Sequence, residues 1–344
     1  MAVRALLAVA QLLLVPSGGS AVLPSDNSMR RFRDEPTLFH ANWESPRLLN
    51  GKVQTAGAAT DTAVYSLNST AERVLVDALY PFEWERNFMG TEPCRTCRRL
   101  WWVSYVASSL YLVSLWIGSS YMRDRKPFDL KVPLAVWNLL LTIFSVVGML
   151  RTVPHLFVLL GEFGFGYTLC RSARASYGNG PPGLWVLLFI LSKYFELFDT
   201  AFLIARKRKV GFLHWYHHCS VLLYCWHAFV WEMPTGIYFV TMNYSVHAIM
   251  YFYYFLAAVC KRPPKWGLLV TILQLTQMAG GIMVTLFHVN ILVRGTVSEC
   301  DGHIPNLAAA LGMYASYFIL FAQFLFARYC VKRETSPRNL KKVD

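Results

Sequence analysis

Charge is scarce in this sequence. Asp, Glu, Lys and Arg make up 15% of its 344 residues, against about a quarter in a soluble globular chain. Acidic residues are the scarcer half, 20 against 33 basic ones. Hydrophobic residues reach 55%, and several apolar stretches attain the roughly 20 residues that cross a bilayer as a helix. A large soluble protein with an apolar core is thereby excluded. Cysteine is sparse and scattered: of 8, only Cys94 and Cys97 form a C-x-x-C pair. No second pair and no histidines accompany it, which excludes a zinc ribbon. The pair reads equally as a disulfide or as two free thiols. Inverted repeats, a mark of many transporters, are absent too.

Aromatic residues are abundant, with 11 Trp, 18 Tyr and 23 Phe, and suit membrane interfaces. The hydropathy pattern predicts an all-α polytopic membrane protein with seven transmembrane helices. They are placed at Trp101–Tyr121, Val132–Leu150, Leu184–Ala205, Phe212–Trp231, Gly236–Val259, Trp266–Phe287 and Leu307–Tyr329. Pro154 to Cys170 is apolar but broken by Glu162 and three glycines, Gly161, Gly164 and Gly166. It reads as a lumenal-side or re-entrant segment.

Four domains follow. Residues 1–21 order a charge, an apolar run and small residues as a signal peptide does. Residues 22–90 are polar and aperiodic, a largely disordered lumenal extension, with Asn68-Ser-Thr as a glycosylation acceptor. Residues 91–330 form the helical domain and 331–344 a basic tail.

The net charge of +13 is a matter of topology, not of nucleic acid. Basic residues gather in alternate loops: Arg123 to Lys131, Arg206 to Lys209, Lys261 to Lys265, and the tail. The positive-inside rule makes those loops cytosolic, with the N-terminus lumenal. Arg95, Arg98 and Arg99 oppose the rule locally. Lys341 and Lys342 resemble a dilysine retrieval signal for the endoplasmic reticulum.

Ionisable groups inside a span cost about 2.5–3.5 kcal/mol each, so they point to function. His214, His217 and His218, at i, i+3 and i+4, share one helix face. They can ligate a metal, or act as nucleophile and general base. Asn243, His247 and Tyr251 form a stripe at four-residue spacing. Lys193 and Glu196 can pair as i, i+3; Asp199 can orient a histidine. Gln274 and Gln277 suit hydrogen bonding between helices or to substrate. A di-iron lipid oxidase needs several histidine boxes, whereas the spans hold only His214, His217, His218, His227 and His247, so no metal is assigned.

Four strings, K-Y-F-E-L-F-D-T from Lys193, H-W-Y-H-H from His214, M-N-Y-S-V-H-A-I-M-Y-F-Y-Y from Met242 and L-Q-L-T-Q from Leu273, resemble the very-long-chain fatty acid elongases, the membrane 3-oxoacyl-CoA synthases. The W-Y inside the box and M-N-Y before His247 look most like types three and six. Gln323 departs from a histidine common in the family's last span, and the long N-terminal extension is unusual.

The resemblance implies condensation of a saturated or monounsaturated acyl-CoA with malonyl-CoA, with no bound cofactor and an acyl-chain tunnel among the helices. It implies catalytic roles for His214, His217, His218, His247, Asn243 and Asp199. Substrate contacts are expected from Lys193, Glu196, Tyr251, Gln274 and Gln277. His214 is expected to take the acyl group, with Asp199 behind the box. Expected partners are the two CoA esters, membrane lipid, other elongation-cycle enzymes and a second copy of the chain. The alternative is a non-catalytic lipid transporter or scaffold.

Overall fold

The computed structural model describes residues 48–49, 52–53, 81–297 and 300–330. The expected signal peptide, Asn68, Lys341 and Lys342 lie outside them. A minimal hairpin pairs β1 (Leu48–Leu49) with β2 (Lys52–Val53) antiparallel. All else that is regular is helical.

Two short helices, α1 (Glu83–Arg86) and α2 (Thr91–Arg99), lead into α3 (Trp102–Met122). Then come α4 (Lys131–Cys170), α5 (Ala173–Ser176), α6 (Gly180–Phe195) and α7 (Phe198–Ala205). The chain continues through α8 (Phe212–Val230), α9 (Gly236–Val259), α10 (Gly267–Arg294) and α11 (Ile304–Leu325), with a π-helical turn at Phe326–Cys330. Of these, α3, α4, α10 and the unit Ile304–Tyr329 are long and apolar enough to cross a membrane. Three predicted segments differ in outline from the helices. The span ending at Leu150 runs on: Pro154 to Cys170, expected as a lumenal-side or re-entrant segment, continues α4 through a kink where Gly164 takes φ 77°. Pro154 lies within α4 ten residues before that kink; proline inside membrane helices is tolerated where neighbouring groups re-satisfy the freed backbone. The span Leu184–Ala205 is two helices, and α10 extends to Arg294.

α9 packs most extensively on α4. Their approach is close: a Cβ on Gly148 would collide with the Tyr244 ring, and Tyr244 donates to the Trp185 carbonyl on α6 at 2.8 Å. Small residues let membrane helices approach in this way. The main core joins side chains of α6, α8, α9, α10 and α11, including Phe189, Tyr224, Phe239, Met278 and Tyr314.

Loops gather at two ends. At one end the Ala173 N–H donates to the Glu232 carbonyl and Asp301 to Cys170. Cys170 and Cys300 are disulfide-bonded across 130 positions. The C-x-x-C pair is not the disulfide; Cys94 and Cys97 are free, buried thiols. Burial, then the neighbouring Glu232 carboxylate, pushes the Cys94 thiol up to about 12, and burial takes Cys97 to about 11. Thiols so held stay protonated and poorly nucleophilic.

Glu85 is also buried at this end. Burial opposes its charge, but hydrogen bonds from Arg151 and Trp185 outweigh that and hold its carboxyl below the usual range. Arg151 Nη2 reaches Glu85 Oε2 at 3.0 Å and Trp185 Nε1 reaches Oε1 at 2.6 Å. The packed body thus includes residues from α1 onward.

Two helices end on charged residues in the left-handed region, Lys207 (φ 53°) after α7 and Glu232 (φ 49°) after α8. Both ends show the paired bonds of a Schellman cap, Arg208 to Leu203 with Lys207 to Ile204, and Met233 to Ala228 with Glu232 to Phe229. Glycine usually fills that position. Here the side chain compensates: Lys207 Nζ donates to the carbonyls of Arg123 and Arg125, and Glu232 pairs with Arg174 at 3.0 Å. One member of the Arg206–Lys209 run is therefore a loop tie.

Candidate active site

The site forms where α6, α7, α8 and α9 meet. Its first determinant is the break between α6 and α7. There the Asp199 N–H bonds the Glu196 carbonyl and Thr200 bonds Leu197, three residues back. A 3₁₀ turn inside a helix tightens the screw. It turns Asp199 and Thr200 toward different neighbours.

Asp199 faces α4 and α9. Its Oδ1 accepts from Trp137 Nε1 at 2.6 Å and its Oδ2 from the Tyr251 hydroxyl at 2.9 Å. Asp199 makes these two side-chain bonds and none to the histidine box, so it does not stand behind the box as expected. Thr200 takes that place. Its hydroxyl lies 2.8 Å from His214 Nε2 and 2.9 Å from the Tyr111 hydroxyl of α3. Tyr111 and Trp137 were missed in the sequence because each belongs to a helix without a recognisable motif. Only the period of a polar residue on an apolar helix could have marked them.

The box opens α8, which Gly211 introduces in extended conformation (ψ 160°). His214 and His218 rings lie 4.5 Å apart and His217 and His218 rings 5.4 Å, as spacings of i, i+4 and neighbouring residues require. The His217 ring also stands 5.1 Å from Tyr317 of α11. His218 Nδ1 is buried without a hydrogen-bond partner.

A second chain of contacts links α6 to α9. Lys193, 2% exposed, pairs with Glu196 at 2.7 Å and donates to Asn243 Oδ1 at 3.2 Å. Ser192 also donates to Glu196 Oε1, at 3.0 Å. An ammonium can only donate, so it settles the Asn243 amide with Oδ1 toward lysine. The Nδ2 group then points at His247 Nε2, 3.2 Å away. His247 must accept there, which leaves its proton on Nδ1. The pair expected as i, i+3 thus forms and also reaches the stripe on α9.

Asn243 of this second chain and His217 of the box both border a cavity of about 30 Å³. His217, Asn243 and Gln277 line it together with Phe189, Tyr224 and Met313. Space of that size holds about one water, so the acyl-chain tunnel expected from the sequence is not open at this point. Gln274 lies apart from the cavity lining and donates to Met250 Sδ at 3.3 Å. His214 is likewise absent from the lining. Among the described residues no group of three or more His, Cys, Asp or Glu side chains is arranged to hold a metal ion.

Comparison with known proteins gives the same direction. Residues 96–337 match the family model described as ELO, the GNS1/SUR4 family. The chain is 38% identical over 268 residues to very long chain fatty acid elongase 6 of Gallus gallus, covering 77% of this chain and 97% of that protein. It is 36% identical over 252 residues to very long chain fatty acid elongase 6 of Drosophila melanogaster, covering 73% and 79%. The human elongase 6 is 38% identical over 264 residues, covering 76% of this chain and 97% of that protein. With the histidine box, the α9 stripe and the family match all falling within one stretch of sequence, the chain belongs to the ELO (GNS1/SUR4) family of fatty acid elongases.

Proposed function

We propose that the chain condenses a long-chain saturated or monounsaturated acyl-CoA with malonyl-CoA, as a very-long-chain 3-oxoacyl-CoA synthase. The products are a 3-oxoacyl-CoA two carbons longer, carbon dioxide and CoA. The observation that carries this reading is the cavity in which a box histidine, His217, meets Asn243 and Gln277 among apolar side chains.

The geometry favours His217 over His214 as the acyl acceptor. Nε2 of His214 is committed to Thr200, whereas His217 borders the cavity. The His217 imidazole attacks the thioester carbonyl, the C–S bond breaks, and CoA thiolate takes the proton that the ring gives up. The acyl group then sits on nitrogen. Malonyl-CoA next loses its carboxylate as carbon dioxide, and the electron pair moves to the α-carbon as an enolate. That carbon attacks the acyl-imidazole, the C–N bond breaks, and the leaving imidazolate takes a proton from water to return as the neutral ring. His218, with Nδ1 unengaged, serves as the neighbouring base. Asn243 and His247 polarise the thioester oxygen where enolate charge grows. Lys193 and Glu196 hold Asn243, and Asp199 with Tyr251 hold α9 against α4. Gln277 contacts the substrate, while Gln274 acts through the packing of α10 on α9. No resident metal is assigned to these steps.

Seven spans, a lumenal N-terminus and a cytosolic C-terminus in the endoplasmic reticulum complete the proposal. The Cys170–Cys300 disulfide lies at the end away from the basic loops at Arg123 and Arg206, which suits an oxidising lumen. A tag after Asp344 that resists protease in intact microsomes would reverse this orientation.

The mechanism is tested by incubating the purified chain with labelled acyl-CoA and no malonyl-CoA. Label is expected on the protein, retained in His214→Ala and lost in His217→Ala. Label that survives His217→Ala, or stoichiometric metal whose removal abolishes activity, refutes the scheme.

A further inference from the structure

Between the start of α4 and the end of α9 lies an open groove of about 390 Å³. That is within the roughly 300–1,000 Å³ of small-molecule sites. Its walls are Val132, Val136 and Leu139 on one side and Phe255, Ala258 and Val259 on the other, with Lys131 at its end. It faces outward: Val132 is 71% exposed and Val136 51%. Phe255 lies about 18 Å along the α9 axis from Asn243, at 1.5 Å per residue, so the groove is not the site cavity.

The groove's polar end is basic. Lys131 makes no side-chain hydrogen bond or ion pair among the described residues, and Lys261 and Arg262 follow the Cys260 cap of α9 and are exposed. The nearby acid is Asp129, whose Oδ1 already accepts the Lys131 backbone N–H at 3.3 Å. An apolar trough with Lys131, Lys261 and Arg262 toward one end, none of them ion-paired among the described residues, is complementary to a long chain that ends in a phosphate. Basic recesses between membrane helices recognise acidic headgroups on this principle.

We propose that this groove is a binding site for an anionic glycerophospholipid. One acyl chain lies between α4 and α9, and the headgroup phosphate meets Lys131, with Lys261 and Arg262 beside it. The inference rests on the outer surface alone and stands or falls independently of the condensation chemistry.

The test is native mass spectrometry of the full chain in detergent, offered equal amounts of phosphatidylserine and phosphatidylcholine with identical chains. The parent is expected to retain phosphatidylserine by about fivefold over phosphatidylcholine, the effect of one lysine near a membrane surface. Lys131→Gln is expected to lower that preference, and Lys131→Gln combined with Lys261→Gln and Arg262→Gln to remove it, while lipid is still retained; a preference unchanged in the triple variant overturns the proposal. Val132→Phe and Ala258→Phe fill the trough and are expected to lower retention of both lipids; at Val132 the added ring extends from an already exposed position, so folding is preserved. Equal retention of the two lipids by the parent overturns the proposal. So does undiminished retention in both phenylalanine variants, or displacement of the lipid by long-chain acyl-CoA, which would make the groove a substrate route.

Discussion

Lys193 Nζ reaches across from α6 to Asn243 Oδ1 on α9, 3.2 Å away, and thereby decides which end of the amide faces His247. The consequence is a single neutral tautomer of His247, protonated on Nδ1. Asn243→Asp keeps the shape but offers only acceptors. His247 must then carry its proton on Nε2. The expected outcome is a fall of about 100-fold or more in condensation rate at normal protein abundance, the scale of losing one oxyanion donor. The rate of labelled malonyl-CoA incorporation measures it, and a rate equal to the parent's would remove the tautomer from the mechanism.

Thr200 bridges Tyr111 and His214 with its hydroxyl. Thr200→Val preserves volume and leaves both partners without that bond, a cost of about 1–3 kcal/mol. Elongation is expected to drop about tenfold, the equivalent of about 1.4 kcal/mol, with Thr200→Ser restoring most of it. Failure of serine to rescue would assign Thr200 to packing alone.

Glu85 makes an acid-sensitive clasp with Arg151 and Trp185. Its folded-state pKa is depressed from the ordinary 4.5. The stability it contributes is therefore present above that value and is lost as pH falls through the folded pKa. Glu85→Gln leaves Arg151 buried beside a neutral group, a loss of about 3 kcal/mol for a broken buried pair. Thermal unfolding in detergent should show the variant less stable than the parent at neutral pH. The gap should close as the medium is acidified below about pH 4.5. A gap that persists unchanged into acid would show that the charge is not what holds the clasp.

Part of this protein was determined by its sequence alone. The i, i+3, i+4 spacing at His214 puts three imidazoles on one helix face whatever surrounds them, because a helix turns by a constant angle per residue. The four-residue spacing of Asn243, His247 and Tyr251 likewise made one stripe of α9. The scarcity of charge and the length of the apolar stretches determined the membrane class, since lipid tolerates few unsatisfied polar groups. What the tertiary structure decided was who meets whom across helices. Asp199 and Thr200 are neighbours in sequence, yet the 3₁₀ turn at Glu196 sends one to Trp137 and Tyr251 and the other to His214. The disulfide joins Cys170 to Cys300 rather than Cys94 to Cys97. Nothing local records such choices. They follow from the packing of α4, α8, α9 and α10 against one another, in which contacts between distant parts of the chain are set jointly by shape and burial.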